Sequence, residues 1–224
     1  MLLYILSGLV LVCVIEYLTL GSIYYFIEIV FFRRKSKVIA LTFDDGPDPV
    51  FSREILKLLK QYKVKATFFV CGKQSQKYPE VISQMVREGH EIGNHSVNHR
   101  QMIFKKPSTI YAEIMQTDEI LKKLGVQDKL YFRPPFGRYL LITPLLLAKL
   151  KKKMIMWNIP SKDYKAKSAD EIIRRVLKNA KKGGIIVMHD GRADRSKSVK
   201  ALAQIIPELL AKGFTFQTID EYIN

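Results

Sequence analysis

From Val38 to the last residues, short β-branched runs alternate with amphipathic helical stretches, and this rhythm constrains the fold more than any other feature. Val38 to Phe43 reads as a buried strand, followed by a helix from Ser52 to Tyr62 with Ile55, Leu58 and Leu59 on one face. Ala66 to Val70 is the next expected strand, and Pro79 to Glu88 the next helix, closed by Gly89. Further strands are expected at 90–94, 130–132, 154–159, 185–188 and 214–219. Helices are expected at 108–124, 143–152 and 199–211, and another is opened by the capping pair Ser168 and Glu171. About seven such repeats require parallel pairing, which an α/β barrel or a doubly wound sheet would both provide. In either architecture chemistry gathers at the carboxyl ends of strands.

Five polar clusters stand at those ends. Asp44 and Asp45 follow the first strand, and adjacent carboxylates there repel unless a cation or proton intervenes; taken alone, an Asp-Gly-Pro turn explains them as well. His95 and His99 follow the third strand, and their spacing puts both imidazoles on one face of a helical turn, within reach of one ion. Beside the carboxylates, they suggest a His-His-Asp facial site with positions open for water and substrate. Arg133-Pro134-Pro135-Phe136-Gly137 is a stiff loop whose arginine could orient a carboxylate. Asp163-Tyr164 and His189-Asp190 complete the series, and a histidine directly after a buried strand suits general acid work near neutral pH. Each cluster has a bland reading by itself, but five in strand order do not.

Thr42-Phe43-Asp44-Asp45-Gly46-Pro47, His95-Ser96 with His99, Arg133-Pro134-Pro135-Phe136-Gly137 and Val187-Met188-His189 resemble, in order, the motifs of the polysaccharide deacetylases of carbohydrate esterase family 4. The resemblance runs from about Val38 to the C-terminus. It implies a distorted (β/α) barrel of about seven parallel strands. It also implies that Asp45, His95 and His99 hold a divalent metal, commonly zinc, with cobalt or another divalent ion as alternatives. Asp44 would be the general base, held by Arg133; the Phe136 backbone N–H would help stabilise the oxyanion; His189 would be the general acid, tuned by Asp163. The implied reaction removes N-acetyl groups from peptidoglycan or chitin-type oligosaccharides. Three positions depart from the pattern: Arg100 where proline is frequent, Pro160 where an acid is frequent, and Tyr164 where tryptophan is frequent. They bear on the substrate groove more than on the reaction.

Residues 1–32 are almost wholly apolar, long enough for a hydrocarbon core that needs roughly 20 residues, and are expected to form a hydrophobic helix anchoring the chain in a membrane. There is no basic stretch before the run and no small-residue cleavage site after it, so an uncleaved anchor fits better than a signal peptide. Residues 33–37 form a basic linker, and 38–224 the catalytic domain, expected outside the cytoplasm. Two features pull against this. Glu16 is costly in a membrane, and the basic linker favours the cytoplasmic side. The formal net charge of +16 suits a membrane surface or an acidic wall polymer as partner. Nucleic acid is not expected, because the lysines are scattered and no reading motif accompanies them. Cys13 and Cys71 form no metal or redox pattern. Competing readings are deacylation of a lipid-linked sugar at the membrane and a non-catalytic wall-binding module.

Overall fold

The structure, a computed structural model, describes residues 37–127 and 130–224. The expected N-terminal helix and nearly all of the basic linker lie outside these residues. Among the described residues no helix is long and apolar enough to cross a membrane.

The wholly buried strand β1 (Val38–Asp44) is the centre of a parallel sheet. One of its edges pairs with β5 (Gly184–His189) over Ile39 to Asp44. The other is shared, Val38 to Ala40 pairing with β6 (Thr215–Gln217) and Thr42 to Asp44 with β2 (Thr67–Val70). β3 (Glu91–Asn94) lies beyond β2, and β4 (Ile159–Pro160) beyond β5.

Period-two alternation along β1 sorts its side chains. Ile39, Leu41 and Phe43 enter the main core, whereas Val38 and Ala40 join a second cluster with Phe69, Tyr131 and Tyr222. Thr42 and Asp44 continue that second face and turn it polar. Helices cover the main-core side. α1 (Phe51–Gln61) contributes Ile55 and Leu59, α3 (Pro79–Arg87) Ile82, α6 (Ala169–Asn179) Ile172 and Val176, and α7 (Ser196–Ala211) Leu202 and Ile205. Truncating such an aliphatic residue to Ala typically costs about 2–5 kcal/mol. The remaining helices are α2 (Gly72–Lys77), α4 (Pro107–Lys123), α5 (Ile142–Lys149) and α8 (Ile219–Ile223).

Among the described residues continuous ladders account for six strands rather than seven. The strand expected at 130–132 is reduced to single bridges from Phe132 to Asn94 and Met154, because Leu130, at φ 48°, is not extended and Pro134 and Pro135 offer no donors beyond Arg133. The strand expected at 154–159 changes neighbours along its length. Met154 bridges Phe132, whereas Ile159 and Pro160 pair with β5. The last expected strand stops at Gln217 because Thr218 and Glu221 form a reciprocal capping box that starts α8. The expected box at Ser168 is half formed: its hydroxyl accepts from Glu171 N, but Glu171 Oε2 accepts from Lys167 N instead.

Candidate metal and catalytic site

Asp44, His189 and Pro160 end β1, β5 and β4, and His95 follows β3 directly, so the clusters do meet at the carboxyl ends of the strands. Asp44, Asp45, His95, His99, Phe136 and His189 line one cavity of about 610 Å³. Arg133 and Asp163 lie buried behind it.

His95 and His99 do not share a helical turn, contrary to expectation from their spacing. The segment is a loop in which Ser96 and His99 have φ of 66° and 55°. Local side-chain hydrogen bonds replace helical ones: Asn94 Oδ1 accepts from Ser96 N at 2.8 Å, and Ser96 Oγ from His99 N at 3.0 Å. Glu113 on α4 holds Asn98 through its backbone and side-chain N–H groups. The imidazoles still converge. Asp45 Oδ1 is 2.9 Å from His99 Nε2 and 3.7 Å from His95 Nε2. Ligands about 2.0–2.2 Å from one ion lie no more than roughly 4.4 Å apart, and both Asp45 separations meet that limit, so the residues fit a divalent metal. One ligand atom from each of Asp45, His95 and His99 lies within 4.8 Å of the others. Burial lowers His95 to about 4 against the opposing pull of Asp44 and Asp45, which keeps the ring neutral. Its Nδ1 is 2.7 Å from the Arg133 carbonyl oxygen, an arrangement that leaves Nε2 facing Asp45 and able to serve as a ligand atom. Burial would raise the Asp45 carboxyl, but the His99 hydrogen bond and the charges of His95 and His189 outweigh it and hold it well below the usual range.

Asp44 faces a different cation. Arg133, completely buried, donates from Nη1 to Asp44 Oδ1 and to Thr42 Oγ1, both at 2.7 Å, and from Nε to the Ile155 carbonyl at 3.1 Å. Its guanidinium carbon sits 4.0 Å from the Phe69 ring centroid and 5.5 Å from that of Trp157. Phe136 turns the loop at φ 61° and sets its ring 4.5 Å from His99. Gly137 also has positive φ, and a Cβ there would fall 2.6 Å from Trp157.

Asp163 Oδ1 is 2.6 Å from His189 Nδ1 and accepts from Ser161 Oγ at 3.0 Å. Its Oδ2 accepts from His189 N at 2.9 Å and Ser198 Oγ at 2.8 Å. Burial would raise this carboxyl, but these donors lower it. Burial likewise pulls His189 down, yet the Asp163 hydrogen bond and charge leave it above its ordinary value. The histidine therefore holds a proton readily, with Nε2 directed away from Asp163.

Arg195 and Ser198, both buried here, were not identified among the chemical groups of the sequence, since Arg195 ends a polar stretch after His189 and Ser198 sits in the first turn of α7, neither with a distinguishing spacing. Asp190 Oδ2 lies 2.5 Å from Ser52 Oγ, and burial together with the charges of Asp45 and Asp44 pushes its carboxyl up to about 7 despite that bond.

Residues 33–155 match the family described as polysaccharide deacetylase. The chain belongs to that family. This polysaccharide deacetylase is 40% identical over 191 residues to a peptidoglycan-N-acetylglucosamine deacetylase of Bacillus cereus, covering 84% of this chain and 89% of the relative. It is 29% identical over 198 residues to a chitooligosaccharide deacetylase of Bradyrhizobium sp., covering 83% and 90%. Among solved structures it matches a peptidoglycan N-acetylglucosamine deacetylase in complex with 4-naphthalen-1-yl-N-oxidanyl-benzamide, with TM-score 0.81 and 36% identity, over 84% of this chain and 88% of that one.

Proposed function

We propose that this polysaccharide deacetylase is a metal-dependent hydrolase that removes N-acetyl groups from an aminosugar polymer, peptidoglycan or a chitin-type oligosaccharide. The observation that carries the reading is one cavity shared by the Asp45–His95–His99 donor set, an arginine-held carboxylate and a carboxylate-held imidazole. The names of the relatives support the substrate class. Phe136, Trp157 and Tyr164 line the cavity with aromatic surface suited to sugar rings.

Asp45, His95 and His99 would hold a divalent ion, with zinc the choice for this mixed donor set, and when bound it would polarise an acyl oxygen and make water acidic near neutral pH. Asp44, fixed by Arg133, accepts the proton of the water that attacks the acetamide carbon. The Phe136 backbone N–H is assigned to the oxygen of the tetrahedral species, a role typically worth about 3–4 kcal/mol. His189 gives its proton to the departing nitrogen, and Asp163 stabilises the imidazolium until then. The C–N bond breaks, leaving acetate and a free amino group on the sugar.

The sheet is read as the family's distorted barrel, because the segment that bridges Phe132 at one end pairs with β5 at the other. Residues 1–32 are proposed to anchor the enzyme in a membrane, on the strength of their apolar length, with 33–37 as linker and the 38–224 domain outside the cytoplasm, where a wall polymer would be met.

The test is acetate release by the full chain, metal-stripped and then supplied with zinc or cobalt, from N-acetylglucosamine oligomers and purified peptidoglycan. Metal-dependent release that disappears in Asp44→Asn is the expected result. Bound metal without release from any polymer would overturn the substrate, and failure to bind metal would overturn the mechanism.

A further inference from the structure

Asp45 is gripped from a side that, apart from Asp190, the five sequence clusters do not include. Its backbone has φ of 80°, a conformation that needs outside support in a non-glycine residue. The turn after β5 provides it. Asp190 N donates to the Asp44 carbonyl at 3.0 Å. Gly191 packs so tightly that a Cβ there would lie 2.5 Å from the Asp45 carbonyl oxygen. The Gly191 carbonyl in turn accepts from Arg195 Nε at 2.8 Å, and Arg195 Nη2 donates to Asp45 Oδ2 at 3.4 Å. Arg195 is 6% exposed and stands at the start of α7.

The two carboxylate oxygens of Asp45 are thereby divided. Oδ2 meets the guanidinium, and Oδ1 meets His99 and His95. The neighbouring carboxylates are divided in the same manner, Asp44 to Arg133 and Asp45 to Arg195.

We propose that Arg195 is a positioning residue for the metal site, engaging Oδ2 so that Asp45 offers the ion the single oxygen Oδ1. Without the guanidinium, the side chain is free to swing toward the ion with both oxygens or away from it, and a buried carboxylate loses a compensating cation. Groups that orient ligands in this way typically change metal affinity about 10–100-fold when removed. The inference rests on the reading of Asp45, His95 and His99 as the metal ligands.

Zinc and cobalt dissociation constants of the metal-stripped full chain, measured by competition with a chromophoric chelator, test it in Arg195→Ala, Arg195→Gln and Arg195→Lys. Lys200→Ala, an exposed site on the same helix, is the control. Circular dichroism and thermal unfolding without metal establish which variants fold. Arg195→Ala and Arg195→Gln are expected to bind about 10–100-fold more weakly, with Arg195→Lys recovering part of the loss and Lys200→Ala unchanged. A folded Arg195→Ala or Arg195→Gln protein with wild-type affinity overturns the proposal. So does failure of all three variants to fold, which would assign Arg195 to the scaffold. If the wild-type chain binds no metal, the parent reading fails first, and that outcome is distinct from both.

Discussion

Asp44 and His189 are register partners in the β1–β5 ladder, each the last residue of its strand. The proposed base and acid are therefore set side by side by backbone pairing, with separate partners, Arg133 and Asp163, fixing each side chain. Proton-transfer groups contribute roughly 100- to 10,000-fold. Asp44→Asn and His189→Ala are each expected to lower kcat by that order. Metal content, measured by elemental analysis, should be unchanged, because neither residue belongs to the Asp45–His95–His99 set. Loss of metal together with activity would contradict the division of roles.

Arg133 has no solvent to fall back on, and its removal strands Asp44 as a buried charge. Breaking such a pair from one side typically costs about 3–5 kcal/mol. Arg133→Met should show that loss in urea unfolding, and Arg133→Lys a smaller one, since lysine keeps the charge but cannot reach Asp44, Thr42 and the Ile155 carbonyl together.

The Asp163–His189 pair sets the direction of the pH profile. His189 is raised above 6.5, so an enzyme needing it protonated loses activity as pH rises through that raised value. Asp163→Asn removes the two largest raising influences and leaves burial, which lowers the histidine, opposed only by the charges of Asp44 and Asp45. The alkaline limb of kcat/KM should therefore move to lower pH. For stability, His189 contributes fully below 6.5 and its contribution fades as pH rises through the folded value. Asp163 contributes above 3.8 and its contribution fades as pH falls through its lowered value. Thermal unfolding of Asp163→Asn should no longer show the stability loss that His189 gives the wild-type chain as pH rises. An unmoved alkaline limb would take His189 out of the acid role.

Gly137 and Trp157 form a contact that only glycine permits. Gly137→Ala adds a side chain at φ 63°, a left-handed position costing roughly 1–2 kcal/mol, and drives its Cβ against the indole. The expected result is a lowered melting temperature and a lowered kcat, as the adjacent Phe136 N–H shifts. Trp157 is the chain's single tryptophan, so its fluorescence reports this displacement directly. An unchanged emission spectrum would show that the loop absorbs the methyl group elsewhere.

What could be read from sequence was what repeats or clusters. β1, β2 and β5 announce themselves as apolar runs, and Asp44, Asp45, His95, His99 and His189 by their place at or just after strand ends. Less legible were features made by distant partners. The His95–His99 spacing pointed to a helical turn because Asn94 and Ser96 look like ordinary loop residues until their side chains are seen replacing helical hydrogen bonds. Thr218 and Glu221 carried a capping signature that the preceding apolar run masked. Arg195 gave no local indication of its role, since its partner Asp45 lies 150 residues away.

The alternation along β1 gives one seven-residue strand two incompatible duties, and this bears on how the protein can fail. A slip of one residue would put Phe43 where Asp44 meets Arg133 and thrust the carboxylate among aliphatic side chains. Mispaired chains are thus inert and unstable at once, so that a misfolded population contributes no sluggish or altered activity. Turnover per molecule becomes a faithful count of correctly registered sheets.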